Sequence, residues 1–139
     1  MLKAVLDTNV VLSAHLNLHG PPQVIFDLVF SKVFHCFLSN ALLEEYEEVL
    51  SRPRFGIDVR KIARSLRDLR KAAILVVPSK RLNVTLDPDD NKVLECALEA
   101  RADYVVTGNL RHYPEQFQGI GIIPPRRLMT LLASGPIAK

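Results

Sequence analysis

The sequence predicts an α/β protein, specifically a three-layer α/β/α sandwich with a mostly parallel central sheet. Five short segments rich in β-branched or aromatic residues alternate with longer segments whose apolar residues recur at helical spacing. The short segments are also apolar along most of their length. Such strands are typical of a parallel sheet that helices cover on both faces.

The predicted strands and helices alternate along the whole chain. We expect strands at residues 2–6, 33–38, 74–77, 104–107 and 120–123. We expect helices at residues 22–32, 40–52, 59–71, 90–102 and 126–133. The breaks between them are loop-sized, so residues 1–139 are predicted to form a single domain with a frayed tail at residues 135–139.

The composition narrows the class of protein. Of the 139 residues, 48% are hydrophobic and 24% are charged, which excludes a disordered or collagenous chain. Charged residues interrupt every apolar run before it reaches the roughly 20 residues of a membrane-spanning helix. Residues 1–16 lack the features of a signal peptide, so we expect a cytoplasmic protein with no membrane partner. Cys36 and Cys96 lie in apolar stretches and are expected to be buried thiols.

Polar side chains follow two of the predicted strands at the edge where open parallel sheets bind ligands. The first strand is followed by Asp7 and Asn9, and the fourth ends in Thr107, close to Asn109. We expect these side chains to lie near one another. An alternative role for Asp7 is to cap a short helix.

The predicted helix at residues 40–52 carries four glutamates within residues 44–48, and Ser39 is its expected N-cap. Such a cluster is usually a solvated helix face. At about 100° per residue, however, Glu45 lies nearest the border of the apolar stripe. Glu45 is therefore the glutamate that can lean into a cleft.

Three aspartates fall within residues 87–90, immediately before the apolar positions of the next helix. Helix capping explains one or two of them but not a third. If Asp90 meets Asp7 and Glu45 at the sheet edge, their mutual repulsion is unfavourable without a cation. Oxygen ligands of this kind suit Mg²⁺ or Mn²⁺, and the chemistry implied is metal-assisted hydrolysis of a phosphodiester bond.

These residues resemble the PIN-domain family of metal-dependent ribonucleases over most of the chain. Residues 87–91 and 102–104 are most similar to the VapC-like branch, the toxins of toxin–antitoxin pairs. The motifs that carry the resemblance are the strand ending in Asp7-Thr8-Asn9, the Ser39 to Glu45 spacing, Asp90-x-x-Val93-Leu94-x-x-Ala97, and the strand ending in Thr107-Gly108-Asn109.

The resemblance implies a PIN-like fold and a role for each residue. Asp7 and Asp90 would bind Mg²⁺ or Mn²⁺ directly, and Glu45 would be a further ligand or orient the attacking water. The substrate would be single-stranded RNA, and the protein would be a homodimer with an antitoxin as a possible partner. Side chains expected to contact the ligands or the substrate are Asn9, Ser39, Thr107, Asn109 and His112.

The chain departs from the family pattern at the fourth acid. PIN nucleases commonly have an aspartate near the position of Asn109, and this chain has Asn109 followed by His112. Asn109 can offer a neutral oxygen, and His112 can contact a substrate phosphate or cap the following turn. A second metal site is therefore in doubt, whereas catalysis with one metal is still open.

Positive charge is concentrated between residues 52 and 81, which contain ten of the eighteen Lys and Arg residues. On the helix at residues 59–71 a cationic stripe lies opposite the apolar face. Such a stripe can bind an RNA backbone, dock an acidic antitoxin segment, or serve only as a solvated face. Its members are Arg60, Arg64, Arg67 and Lys71.

The sequence thus favours a metal-dependent endoribonuclease, with two alternatives left open. One is a catalytically weakened or inactive PIN-fold module that binds RNA or docks a protein, which the missing fourth acid would permit. The other is a phospho-acceptor receiver domain, which also clusters acids at strand ends. A receiver domain needs a lysine at a late strand end, and none follows Val106 or Ile123.

Overall fold

The computed structural model describes residues 1–134, so the tail predicted at residues 135–139 lies outside the described residues. The strands are β1 (Lys3–Leu6), β2 (His35–Leu38), β3 (Ile74–Leu75), β4 (Tyr104–Val106), β5 (Gln116–Phe117) and β6 (Ile120–Ile123). The α-helices are α1 (Thr8–Leu16), α2 (Pro21–Ser31), α3 (Asn40–Leu50), α4 (Val59–Ala72), α5 (Pro88–Ala100) and α6 (Pro125–Ser134). Short 3₁₀ turns occur at Pro53–Phe55 and Leu110–His112.

The strands form one sheet in the order β3-β2-β1-β4-β6-β5. All neighbours pair in parallel except β5, which pairs antiparallel with β6. The register sets Leu6 beside Val106 and Val106 beside Ile123, so β1, β4 and β6 end at the same edge. The residues that follow these strands are therefore neighbours in space.

Helices cover both faces of β1, which lies in the interior of the sheet. Ala4, Val5 and Leu6 are each at most 1% exposed. Successive residues of a strand point to opposite faces, so burial of all three requires packing on both sides. The buried Tyr46 of α3 also donates a hydrogen bond from its hydroxyl to the carbonyl oxygen of Leu6. The predicted α/β class with a mostly parallel sheet is confirmed.

One helix was expected only as an alternative, and one strand was not predicted from the sequence. Helix α1 begins directly after β1, and its valines, which favour strands in isolation, are buried at Val10 and Val11. Strand β5 has two residues and meets β6 through a turn in which Gln118 and Gly119 have positive φ. None of the helices within residues 1–134 has the length and apolar character needed to cross a membrane.

Four predicted elements have a boundary that is wrong by two residues. The strand expected at residues 33–38 begins at His35, and the helix expected at residues 40–52 ends at Leu50. The strand expected at residues 74–77 is only β3, whose two residues are both exposed at the edge of the sheet. The helix expected at residues 90–102 is α5, which begins at Pro88 because Asp87 caps it and proline suits a first helical turn. Asp90 is therefore the third residue of α5 and not its first.

Candidate active site

Asp7 lies at the end of β1, where it is 4% exposed and accepts three hydrogen bonds. The Thr107 hydroxyl donates to Oδ2 at 2.7 Å, and the backbone N–H of Thr8 donates to Oδ1 at 2.7 Å. The amide of Asn9 donates to Oδ2 at 3.1 Å. Asp7 therefore caps α1, as one interpretation of the sequence held, and also faces the loop that follows β4.

Asn9 connects the loops that follow β1 and β4. Its Oδ1 accepts the backbone N–H of Gly108 at 2.9 Å, while its Nδ2 lies 3.4 Å from the Thr107 hydroxyl oxygen. Asn109 joins the same network through its backbone N–H, which donates to the Thr107 hydroxyl oxygen at 2.9 Å. The side chain of Asn109 is exposed. These contacts fix the direction in which Asp7 points.

Asp90 lies in the first turn of α5, is 8% exposed, and is close enough to Asp7 for their charges to interact. The hydroxyl of Tyr113 donates to its Oδ1 at 3.2 Å, and Nδ1 of His112 lies 3.5 Å from its Oδ2. Burial, together with the negative charges of Asp7 and Asp87, raises the pKa of Asp90 to about 6. Burial also raises the pKa of Asp7, against the lowering effect of the Thr107 hydrogen bond.

The chemistry of this pair fits a hard divalent cation. Two carboxylates that repel each other in a buried setting gain stability when a cation neutralises them. The oxygens available at Asp7 and Asp90 are the ligand type that Mg²⁺ and Mn²⁺ prefer. Within residues 1–134, no three His, Cys, Asp or Glu side chains are grouped as a complete metal site. Water or substrate oxygens would complete the coordination.

Glu45 is the least exposed of the four glutamates on α3, with 11% of its side chain accessible. It faces Lys92 of α5, whose Nζ lies 3.9 Å from Glu45 and 3.0 Å from Asp89. Burial and the charge of Asp89 raise the pKa of Glu45, and the charge of Lys92 opposes that rise. The ammonium group of Lys92 therefore lies between Glu45 of α3 and Asp89 of α5.

Ser39 is buried and accepts the backbone N–H of Leu42 at 3.1 Å, which makes it the N-cap that was expected for α3. Its contribution to the site is indirect. By fixing the first turn of α3, it sets the direction of the helix that presents Glu45.

A cleft of about 470 Å³ opens beside Asp90. The sequence did not predict a role for Lys92, Arg111 or Tyr113. Arg111 and Tyr113 line this cleft together with His112. A signal existed for two of them, since Arg111 and Tyr113 flank His112 in the loop that follows β4. The lining residues are Val84, Thr85, Leu86, Asp87, Asp90, Arg111, His112, Tyr113 and Pro114.

The cationic stripe predicted on the fourth helix lies on the exposed face of α4. Ile62, Leu66 and Leu69 are buried on the opposite face. The stripe has one acidic neighbour within its own helix, Asp68, whose carboxylate lies 3.8 Å from Arg67. The exposed members are Arg60, Arg64, Arg67 and Lys71.

Comparison with known proteins gives this arrangement a family. A family model described as PIN domain matches residues 3–111. A relative from Methanocaldococcus jannaschii, named Uncharacterized protein MJ1680, is 31% identical over 111 residues, which are 78% of this chain and 71% of the relative. PIN domains are generally nucleases that bind nucleic acid and use divalent metal ions. The match covers Asp7, Glu45 and Asp90, and the chain belongs to the PIN-domain family.

Proposed function

We propose that this protein is a metal-dependent endoribonuclease that cleaves single-stranded RNA. The observation that carries the proposal is the buried pair of Asp7 and Asp90 at the end of the parallel strands, held by donors from Thr107 and Tyr113. A fold needs no such repulsive pair for stability, and functional sites are where such pairs occur. The family match supports the nuclease class.

In this proposal Asp7 and Asp90 bind Mg²⁺ or Mn²⁺. When bound, the cation supplies a water of lowered pKa and stabilises negative charge on the phosphate. Thr107 and Asn9 orient Asp7, and Tyr113 orients Asp90. Burial raises the pKa of Glu45, which suits its carboxylate to accept a proton from water. It would do so when the carboxylate is not paired with the ammonium group of Lys92.

The substrate backbone would reach this edge from the cationic surface of α4 or from the cleft lined by His112. The imidazole of His112 is 55% exposed and lies 3.5 Å from Asp90, so it can contact a phosphate held next to the metal. Asn109 supplies a neutral side chain where an acid is common, which favours one metal ion over two.

Cleavage of a fluorogenic single-stranded RNA in Mn²⁺, Mg²⁺ or EDTA tests the proposal, with wild type and Asp7→Asn purified in parallel. We expect metal-dependent cleavage by wild type and a loss of at least about a hundredfold in Asp7→Asn. A contaminating ribonuclease would act equally in both preparations. No metal-dependent cleavage, with RNA binding unaffected by EDTA, would instead favour the inactive RNA-binding or protein-docking module.

The finer assignment, a VapC-like toxin paired with an antitoxin, rests on the similarity of residues 87–91 and 102–104 to that branch. A toxin should stop growth of its host when expressed, and Asp90→Asn should remove that effect. Growth arrest by both forms would contradict the toxin role. Homodimerisation, also expected from the family, is measured by light scattering on a size-exclusion column.

A further inference from the structure

The cleft beside Asp90 has one charged side and one apolar side. We propose that it binds a single unpaired nucleotide of the RNA, with the phosphate on Arg111 and the base against Leu86. This inference rests on the proposed nuclease function and adds a substrate subsite to it. At about 470 Å³ the cleft falls within the range of small-molecule sites.

Arg111 supplies the phosphate contact. It lies on the 3₁₀ turn Leu110–His112, is exposed, and takes part in none of the ion pairs found within residues 1–134. Its guanidinium group is always charged and has donors spaced for two phosphate oxygens. Asp87 and Asp90 line the same cleft, and their charge directs a phosphate to the side of Arg111.

Leu86 supplies the apolar contact. Its side chain is fully exposed, at 105% of the reference value, and Val84 on the same wall is 42% exposed. Apolar surface of this kind, placed next to a cation in a concave site, gains free energy when an apolar ring covers it. A nucleobase attached to a phosphate matches both sides of the cleft.

The backbone that leads into Leu86 is held by hydrogen bonds from α5. The buried Asn91 of α5 accepts three hydrogen bonds at Oδ1, from the backbone N–H groups of Val84 at 3.2 Å and Thr85 at 2.9 Å and from the Thr85 hydroxyl at 3.0 Å. Further along, Glu95 of α5 accepts the backbone N–H of Leu82 at 2.8 Å. Ordering this backbone in advance lowers the entropy cost of placing Leu86 against a base.

This geometry also selects the strandedness of the substrate. In a duplex the base is stacked on both faces and paired along its edge, so it cannot lie against Leu86. An unpaired base can leave the strand at low cost and enter the cleft. The neighbouring phosphate would then lie on Arg111, next to His112, which reaches Asp90.

Binding of small probes tests the subsite without any cleavage. The protein is titrated in EDTA with AMP, adenosine or inorganic phosphate while backbone amide shifts are recorded by NMR. We expect AMP to shift the amides of Leu86, Arg111 and His112 and to bind more tightly than adenosine or phosphate. Arg111→Ala should weaken AMP binding about tenfold, since the variant has no charged donor for the phosphate, and Leu86→Ser should weaken it about threefold.

The controls are Arg81→Ala, an exposed arginine outside the cleft lining, and Leu18→Ser, an exposed leucine of the loop between α1 and α2. Both should leave AMP binding within about twofold of wild type. AMP shifts outside the cleft, or an equal loss in Arg111→Ala and Arg81→Ala, would overturn the subsite. If wild type binds AMP in the cleft but cleaves no RNA in Mn²⁺ or Mg²⁺, the nuclease proposal alone is overturned. Failure of the subsite and failure of the nuclease proposal are therefore distinguishable.

Discussion

The hydroxyl of Tyr113 lies 3.2 Å from Oδ1 of Asp90 and donates a hydrogen bond to it. Burial and the charges of Asp7 and Asp90 raise the pKa of that hydroxyl, so Tyr113 stays protonated and remains a donor. The bond lowers the pKa of Asp90 against the effect of burial. Tyr113 therefore keeps more of Asp90 in the charged form that a metal ion needs.

Replacing Tyr113 by Phe should weaken metal binding in a pH-dependent way. The ring still fills its buried position, but the pKa of Asp90 rises further above about 6 because the carboxylate loses a donor. We expect Mn²⁺ affinity, measured by calorimetry, to fall about tenfold near pH 6 and much less near pH 8. Tyr104→Phe, on β4, is the matched control. An equal loss at both pH values would contradict a role through Asp90.

The metal-free protein should lose stability as the pH rises from about 4 to about 6. Asp90 has an ordinary pKa of 3.8 and a pKa of about 6 in the folded protein, so the folded state binds this proton more tightly. The stabilisation from that proton is complete below the ordinary pKa. It is lost as the pH rises through the folded-state pKa, and the free energy of unfolding falls by roughly 2 to 3 kcal/mol.

Urea unfolding of wild type and Asp90→Asn in EDTA measures this loss. The variant has no carboxyl group to titrate, so we expect it to be more stable than wild type near pH 8 and similar near pH 4. Added Mn²⁺ should stabilise wild type, because the ion binds the folded state. It should leave the variant nearly unchanged, because the variant lacks one of the two carboxylates proposed to bind the ion. A constant difference across the pH range would mean that Asp90 does not titrate in this window.

The sequence was informative where local pattern decides structure. Asp7 and Thr107 directly follow strands that pair in parallel with a register of Leu6 to Val106, so their meeting at one edge agrees with the parallel sheet that the sequence predicted. Helix α1 was expected only as the short helix that Asp7 would cap. Its valines favour strands, and its burial against α2 and α3 overrides that preference.

The contacts that tertiary packing decides could not be predicted. Tyr113 reaches Asp90 only because the loop after β4 folds back over the first turn of α5. Helical spacing likewise predicted that Glu45 lies at the border of the apolar stripe of α3. Its neighbour Lys92, however, belongs to α5. The distance between α3 and α5 depends on how the two helices pack and cannot be read from either helix alone.

Lys92 provides a test of whether Glu45 binds the metal. Its ammonium group, 3.9 Å from Glu45, repels an approaching divalent cation. Lys92→Gln should therefore tighten Mn²⁺ binding about three- to tenfold near pH 8, as expected for one charge near the protein surface. In a Glu45→Gln background the same change should have a smaller effect. Equal effects in both backgrounds would remove Glu45 from the metal site.

The cationic stripe of α4 gives a prediction that depends on salt. Charge reversal at Arg64 and Arg67 should weaken single-stranded RNA binding. The slope of log affinity against log salt should fall by about 0.7 for each phosphate that the variant no longer neutralises. Fluorescence anisotropy from low to high salt measures this slope.

The control is charge reversal at Lys32 and Lys80, two exposed lysines outside α4 that change the net charge equally. If general charge alone attracted the RNA, both pairs of variants would lower affinity and slope to the same extent. A larger loss in the α4 pair means that the RNA backbone lies along the stripe, because counterion release counts only the charges that neutralise phosphates. An unchanged slope in the α4 pair would exclude this face from RNA binding and leave it as a solvated surface.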